Sequence, residues 1–361
     1  MNFKKQEIIF VVLVLILTLN FVGCSTAPTG ETTPKEPFPE QKEEPKPEHI
    51  DKSDPEPKQE PEIDLAEINA NEAGQIMILE WHVIGEKEGR WSRTYTNFRK
   101  DLETLYEKGY RLVSLRDVVT NNIQVEAGYT PVVLTFDDGT EGHFRYIEQD
   151  GKRIIDPHSA VGILKAFYDE HPDFGLMATF YINYYTPFGQ KDYWQDKLRE
   201  IVKLGMDLGN HTVNHEKLNN LSQEKVEEEL GKMVKMVQEV VPGYELDSLA
   251  LPYGINPKDI NWAVSGEYEG IKYHNKAILL VGSGPIKSPV VKGFNPSQLP
   301  RIQVFQEEFD KWLNYFDENP EKRYISDGDP DTISIPVGEK DKIDANKLGG
   351  KILKTYEPNG K

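Results

Sequence analysis

The sequence predicts an α/β fold from about residue 74 onward, and three observations favour it. Short apolar runs rich in β-branched and aromatic residues alternate with longer segments of helical period. This alternation is typical of a sheet whose strands are joined by helices. The chain has 361 residues, so the part after residue 74 has the length of one barrel-sized domain, and no internal repeat divides it.

The patterning predicts individual elements in order along the chain. Residues 76–79 and 132–136 are expected to be buried strands. A helix is predicted over residues 95–109, where Gly109 ends it, and another over residues 222–241, where Ser222 is the expected N-cap. A further apolar stripe of helical period comprises Phe305, Phe309, Trp312, Leu313 and Phe316. We interpret these stripes as the core-facing sides of helices.

Two short motifs carry chemistry. The pentapeptide at residues 135–139 places Asp137 and Asp138 directly after the second strand, and the pentapeptide at residues 211–215 begins and ends with His211 and His215. Adjacent carboxylates at a strand end point in different directions, so one can bind a metal while the other faces a substrate. Two histidines four apart on one helical turn present their rings on the same side. Alone, the first motif is also typical of a hairpin turn and the second of a solvated helix face.

In this order, the motifs resemble those of the NodB-homology polysaccharide deacetylases, carbohydrate esterase family 4. Residues 251–254 (Leu-Pro-Tyr-Gly) are similar to the third motif of that family, and residues 178–181 to the strand after its first helix. The resemblance covers roughly residues 76–320. It implies a distorted (β/α) barrel, a divalent metal and removal of acetyl groups from N-acetylated glycans.

The resemblance also implies roles for particular residues. Asp137 would be the general base, and Asp138, His211 and His215 would bind the metal, for which Zn²⁺ is expected and Co²⁺ or Ni²⁺ are alternatives. A backbone N–H near Tyr253 would hold the oxyanion.

Two departures from the family pattern concern the arginine that orients the base and the histidine that acts as acid. Ala250 occupies the usual position of the arginine, and Arg301 in a late Pro-Arg-Ile is the expected substitute, the alternative being an ordinary surface arginine. The usual late histidine is missing, since the last one is His274. In the poly-N-acetylglucosamine branch the acid lies before the first motif, in a context that His82 resembles. The alternatives are that His82 is structural or that His274 is the acid.

The amino-terminal segment predicts an exported lipoprotein. Two lysines precede a hydrophobic run at residues 8–19, and residues 21–24 resemble a bacterial lipobox. Residues 1–23 would be a signal peptide, and Cys24 would carry lipid on the outer face of the cytoplasmic membrane. The alternative is a free thiol. Residues 24–74, rich in Pro, Glu and Lys, are expected to form a disordered tether.

The deacetylase domain is predicted over residues 75–325, with a long insertion after the first motif. Hairpin-like material around Asp150 and Gly151 would overhang the site. His143 and His158 in this insertion are interpreted as exposed loop residues, with glycan or metal binding as the alternative. Residues 326–361 would form an extension packed on the barrel or trailing from it, in which the acidic run at residues 327–331 only weakly resembles a calcium loop.

Charge and composition limit the function classes. The formal net charge of −18 argues against nucleic acid as a partner. The sole cysteine is Cys24, and no Gly-x-Ser-x-Gly motif occurs, so a thiol or serine nucleophile has little support. We therefore expect a membrane-tethered, monomeric, metal-dependent hydrolase of linear amides that acts on an N-acetylated polysaccharide outside a bacterial cell. An acetyl-ester hydrolase and a non-catalytic glycan-binding lipoprotein are the alternatives.

Overall fold

Parallel strands close into a barrel in the computed structural model, which describes residues 63–183 and 186–359. The strands are β1 (Met77–Trp81), β2 (Val83–Gly85), β3 (Ser92–Thr94), β4 (Tyr110–Leu112), β5 (Thr130–Phe136), β6 (Tyr146–Gln149), β7 (Lys152–Ile155), β8 (Thr179–Ile182), β9 (Asp207–Asn210), β10 (Ser248–Ala250), β11 (Ser265–Tyr268), β12 (Ile271–His274), β13 (Ala277–Ser283), β14 (Leu299–Gln303), β15 (Thr332–Pro336) and β16 (Ile352–Tyr356). The helices are α1 (Tyr95–Glu107), α2 (Leu115–Val119), α3 (Ala160–Glu170), α4 (Trp194–Lys203), α5 (Gln223–Val240), α6 (Asn261–Val264) and α7 (Gln306–Glu318).

The barrel is a ring of seven parallel strands in the order β1, β5, β8, β9, β10, β13, β14, with β14 pairing back to β1. β4 and β8 pair with the same edge of β5: β4 pairs with the first residues of β5, and β8 pairs with the last residues of β5. A register shift interrupts the pairing of β13 with β14. The expected distorted (β/α) barrel is therefore present.

Alternation along the strands separates the two faces of the sheet. Met77, Leu79 and Trp81 of β1 belong to the large hydrophobic cluster that contains the helices, whereas Ile78 belongs to a second cluster on the opposite face. Glu80 lies two positions after Ile78 and therefore on the same face of the sheet. Thr135 likewise lies two positions after Val133, and Arg301 two positions after Leu299. Apolar residues thus fill the barrel interior near the amino ends of the strands, and polar residues lie in it near the carboxyl ends.

The predicted helices are present with small differences at their ends. α1 begins after Thr94, whose side chain accepts a hydrogen bond from the Asn97 N–H, and Gly109 follows its end at φ 77°. α5 begins after Ser222, which occupies the N-cap position without making a side-chain capping bond. Within residues 63–183 and 186–359, none of the helices combines the length and apolarity that a membrane span requires.

The folded domain begins earlier than the expected boundary at residue 75. Residues 70–73 are buried, and Asn71 pairs through its backbone N–H with the carbonyl of Ile325 and through its side chain with that of Glu321. The tether boundary at residue 74 is therefore too late. The signal peptide, Cys24 and the tether up to residue 62 lie outside the described residues.

The insertion and the carboxyl-terminal extension are both ordered. β6 and β7 form an antiparallel hairpin that turns at Asp150 and Gly151. β15 and β16 pair in parallel, and Ile333 and Ile335 are buried in a cluster with Ala73 and Val290. The extension is thus packed on the domain.

Candidate active site

The polar residues singled out in the sequence meet where β1, β5, β9, β10 and β14 end. This is the face on which barrels of parallel strands gather functional side chains, because loops there bring several strand ends together. Asp137 and Asp138 follow β5, His211 follows β9, and Arg301 lies within β14.

Asp138, His211 and His215 form a group that fits a divalent metal ion. Each offers a ligand atom, and these atoms lie within 4.8 Å of one another. Nε2 of each histidine is 3.5 Å from Oδ1 of Asp138. Two imidazoles and one carboxylate are a usual donor set for zinc that leaves coordination positions free.

The backbone around this group is unusual. The two histidines lie in the loop after β9 and not on one helical turn as expected, because Thr212 and His215 have φ of 63° and 53°. Asp138 has φ 75°. Such conformations cost about 1–3 kcal/mol each for residues other than glycine and concentrate at functional sites.

Neighbouring groups orient the candidate ligands. Nδ1 of His211 lies 2.7 Å from the carbonyl oxygen of Ala250, which only accepts, so Nδ1 must donate and Nε2 keeps its lone pair in the neutral ring. Asn183 donates to Oδ1 of Asp138 at 3.1 Å. Orientation by second partners of this kind is typical of metal-binding histidines and carboxylates.

Arg301 holds Asp137 in a fully buried bidentate pair. The two guanidinium nitrogens Nη1 and Nη2 donate to the two carboxylate oxygens, each at 2.7 Å, and Nε donates to the carbonyl of Leu280 at 2.7 Å. Burial alone would raise the pKa of Asp137, but Arg301 and His211 outweigh it and hold the pKa well below its usual range. The alternative of an ordinary surface arginine is wrong.

His82 faces the same centre from the end of β1. Its ring, the carboxylate of Asp137 and the carboxylate of Glu80 each present an atom within 4.8 Å of the others. Burial lowers the pKa of His82, and the charges of Asp137 and Asp138 oppose that effect. His274 is exposed on the β11–β12 hairpin, where it pairs with Ser265. Of the two candidate acids, the described structure therefore places His82 at this centre.

Glu80 is a site residue that the sequence reasoning missed. It is completely buried, with its carboxylate 3.5 Å from Nε2 of His82 and 3.4 Å from Nε of Arg301. Burial raises its pKa to about 7, and Arg301 limits the increase. The signal was present, because Glu80 is a charged residue within the apolar strand Met77–Trp81.

Tyr253 borders the centre from the turn after β10. It has φ 58°, its ring lies 4.7 Å from that of His215, and its side chain is 55% exposed. The Tyr253 ring therefore borders the candidate metal ligands, and the oxyanion role of a backbone N–H near Tyr253 stays a prediction.

The histidines of the insertion have different positions. His143 is fully buried against Phe136, so the expectation that it is an exposed loop residue is wrong, and burial lowers its pKa to about 4. His158 is exposed and stacks on Tyr95, with ring centroids 4.3 Å apart.

Comparisons with known proteins bear on the fold and on the family resemblance. The family model described as polysaccharide deacetylase matches residues 124–269. Among solved structures, the deacetylase PplD from Streptococcus pyogenes, in complex with acetate, is 19% identical over 66% of this chain and 97% of its own, with a TM-score of 0.51.

A putative polysaccharide deacetylase from Bacillus anthracis is 18% identical over 66% of this chain and 69% of its own, with a TM-score of 0.50. IcaB from Ammonifex degensii is 14% identical over 68% of this chain and 98% of its own, with a TM-score of 0.48. No curated protein matches the chain. At these identities the first two likenesses show a shared fold, and the expected barrel of the NodB-homology type is confirmed.

Proposed function

We propose that this chain, whose residues 124–269 match the family model described as polysaccharide deacetylase, is a metal-dependent hydrolase of N-acetyl groups. Its substrate would be a cell-surface or cell-wall polysaccharide that contains N-acetylglucosamine. The observation that carries the proposal is the buried carboxylate of Asp137, which Arg301 holds in place. The candidate metal ligands Asp138, His211 and His215 lie on one side of this carboxylate, and the imidazole of His82 lies on the other.

The first step of the argument is metal binding. The donor set and its separations fit one divalent ion, for which Zn²⁺ is expected. When bound, such an ion supplies a Lewis acid for a carbonyl oxygen and makes a water molecule acidic enough to be activated near neutral pH.

The second step is proton removal from the attacking water. Asp137 remains ionised because Arg301 keeps its pKa below the usual range, so a carboxylate oxygen can accept a proton. The bidentate pair also fixes the orientation of the carboxylate. A protein that only bound glycan would not need this buried charge, which argues against the non-catalytic alternative.

The third step is proton delivery to the departing amine. An amine leaves an amide only when its nitrogen is protonated, and His82 would donate that proton from Nε2, next to Glu80. An acetyl ester has a better leaving group and needs this proton less. The presence of His82 at the centre therefore favours an amide over the ester alternative.

We also propose that the domain acts outside the cell as a lipoprotein held by Cys24. The lipobox-like residues 21–24 and the Pro-rich residues that follow support this. The tether would let the domain reach a wall polymer.

Acetate release from a panel of N-acetylated and O-acetylated glycans tests the proposal. The metal-loaded protein should release acetate from an N-acetylglucosamine polymer, and a chelator should abolish the activity until Zn²⁺ is restored. Asp138→Ala serves as the matched variant that should lose both metal and activity. Release from O-acetylated glycans alone would favour the ester hydrolase. Glycan binding without any acetate release would favour the non-catalytic lipoprotein.

A further inference from the structure

Two exposed aromatic side chains flank the candidate active site. Among the described residues, the exposed tryptophan, tyrosine and phenylalanine side chains are Trp91, Tyr168 and Tyr253, which are 45%, 36% and 55% exposed. Trp91 packs edge-on against His82 with ring centroids 4.5 Å apart, and Tyr253 packs against His215 at 4.7 Å. Exposed aromatic surface therefore concentrates at the site, where it is available to a ligand.

The two rings lie across the barrel mouth from each other. Trp91 adjoins the histidine that follows β1, and Tyr253 lies in the turn after β10. In the ring of seven strands, β10 is four steps from β1 in one direction and three in the other, which is as far apart as two strands can be. The pair therefore suits an extended ligand more than one small molecule.

The loop that carries Trp91 is fixed to the barrel rim. Val83 donates its backbone N–H to the Trp91 carbonyl at 3.1 Å, and Gly89 and Ser92 exchange backbone hydrogen bonds. The side chain of Gln303, at the end of β14, donates to the carbonyl of Arg90 at 3.0 Å. The Arg90 guanidinium lies 5.7 Å from the centroid of the Trp91 ring. The backbone that carries Trp91 is thus fixed before any ligand binds, which lowers the entropy cost of binding.

We propose that Trp91 binds a pyranose ring of an acetylated polysaccharide by stacking, beside the sugar unit whose amide faces His82. This inference rests on the proposed function and names a residue that determines its substrate class. A pyranose ring has apolar C–H faces and a polar rim, so its face can be buried on a flat indole while its hydroxyl groups stay in water. The Arg90 guanidinium lies over one face of the Trp91 ring, so the pyranose would stack on the opposite face.

Binding and turnover together test the role of Trp91. The full chain, loaded with Zn²⁺, is titrated with a β-1,4-linked N-acetylglucosamine pentamer by calorimetry, in an Asp137→Asn background that should slow turnover at least about 10²-fold. Trp91→Ala should raise Kd at least about tenfold, the scale of an aromatic anchor at an interface. Trp91→Phe should restore part of the affinity, and Tyr168→Ala, the matched exposed aromatic away from the site, should change nothing.

A second readout separates stacking from positioning of His82. With Asp137 intact, Trp91→Ala should raise KM for the pentamer by a larger factor than KM for a small activated acetyl ester. An unchanged Kd, no binding of the pentamer to the parent, or equal losses on pentamer and ester would each overturn the inference. Binding that depends on Trp91 in a protein that releases no acetate would uphold the inference and refute the proposed function. Acetate release with a Kd that is independent of Trp91 would uphold the proposed function and refute the inference.

Discussion

Replacing Arg301 with methionine is expected to destabilise the protein by about 3–5 kcal/mol, because it leaves a buried carboxylate without its partner. Arg301 is fully buried and makes two charge-assisted bonds to Asp137 and one bond to the Leu280 carbonyl. Bonds to charged groups contribute about 1.5–3 kcal/mol each, so the two to Asp137 alone account for about 3–6 kcal/mol. Methionine fills part of the space left by the arginine stem, so the cavity term is small.

Urea unfolding measured by tryptophan fluorescence gives the change in the free energy of unfolding, provided that the slope with urea is unchanged. Lys165→Met is the control, since Lys165 pairs with Asp169 at the surface, and its loss should cost less than about 1 kcal/mol. The double variant Arg301→Met with Asp137→Asn should be less destabilised than the sum of the two single variants by at least about 1 kcal/mol. Acetate release should fall at least about 10²-fold, because the base is no longer oriented. A cost for Arg301→Met below about 1 kcal/mol, or additive effects in the double variant, would refute the reasoning.

Four further outcomes are expected. His82→Ala should lower amide hydrolysis by about 10²- to 10⁴-fold and harm an activated acetyl ester much less; equal losses would indicate a structural role. Asp137→Asn should keep one bound metal ion per chain, measured by elemental analysis, while turnover falls at least about 10²-fold; loss of the metal would mean that the two adjacent carboxylates are wrongly assigned. Burial, reinforced by Asp327, raises the pKa of Glu72 to about 8 from 4.5, so between these pH values the folded protein keeps a proton that the unfolded chain loses. The free energy of unfolding should therefore fall as pH rises through this window, by at most about 1.4 kcal/mol per pH unit, and Glu72→Gln, which mimics the protonated carboxyl, should flatten that slope in urea titrations; equal slopes in both proteins would contradict this. Cys24→Ala should abolish labelling by a radioactive fatty acid and release the protein from the membrane, whereas an uncut hydrophobic segment found by mass spectrometry would make the segment a spanning anchor.

The sequence alone determined the elements whose signals are local. The helical period of apolar residues located α1, α5 and α7, because a helix must bury one side regardless of its partner. The apolar run before Asp137 located β5 and therefore the strand end that two carboxylates follow. The resemblance of the two motifs to those of the deacetylase family named Asp138, His211 and His215, which the fold brings together.

Only the tertiary structure decided the relations between distant residues. Arg301 and Asp137 are 164 positions apart, and closure of β14 onto β1 brings them into contact. Neither the burial of His143 nor the contact of Trp91 with His82 has a local signal, because both depend on which loops cross the barrel mouth.

The loop conformation of His211 and His215 shows the physical reason most directly. The His-x-x-x-His spacing predicted a helical turn, but positive φ at Thr212 and His215 excludes one. Contacts made elsewhere, such as the bond from His211 to the Ala250 carbonyl, stabilise that strained backbone. A sequence pattern records what each segment prefers alone, and the closed barrel selects the conformation that all the segments can adopt together.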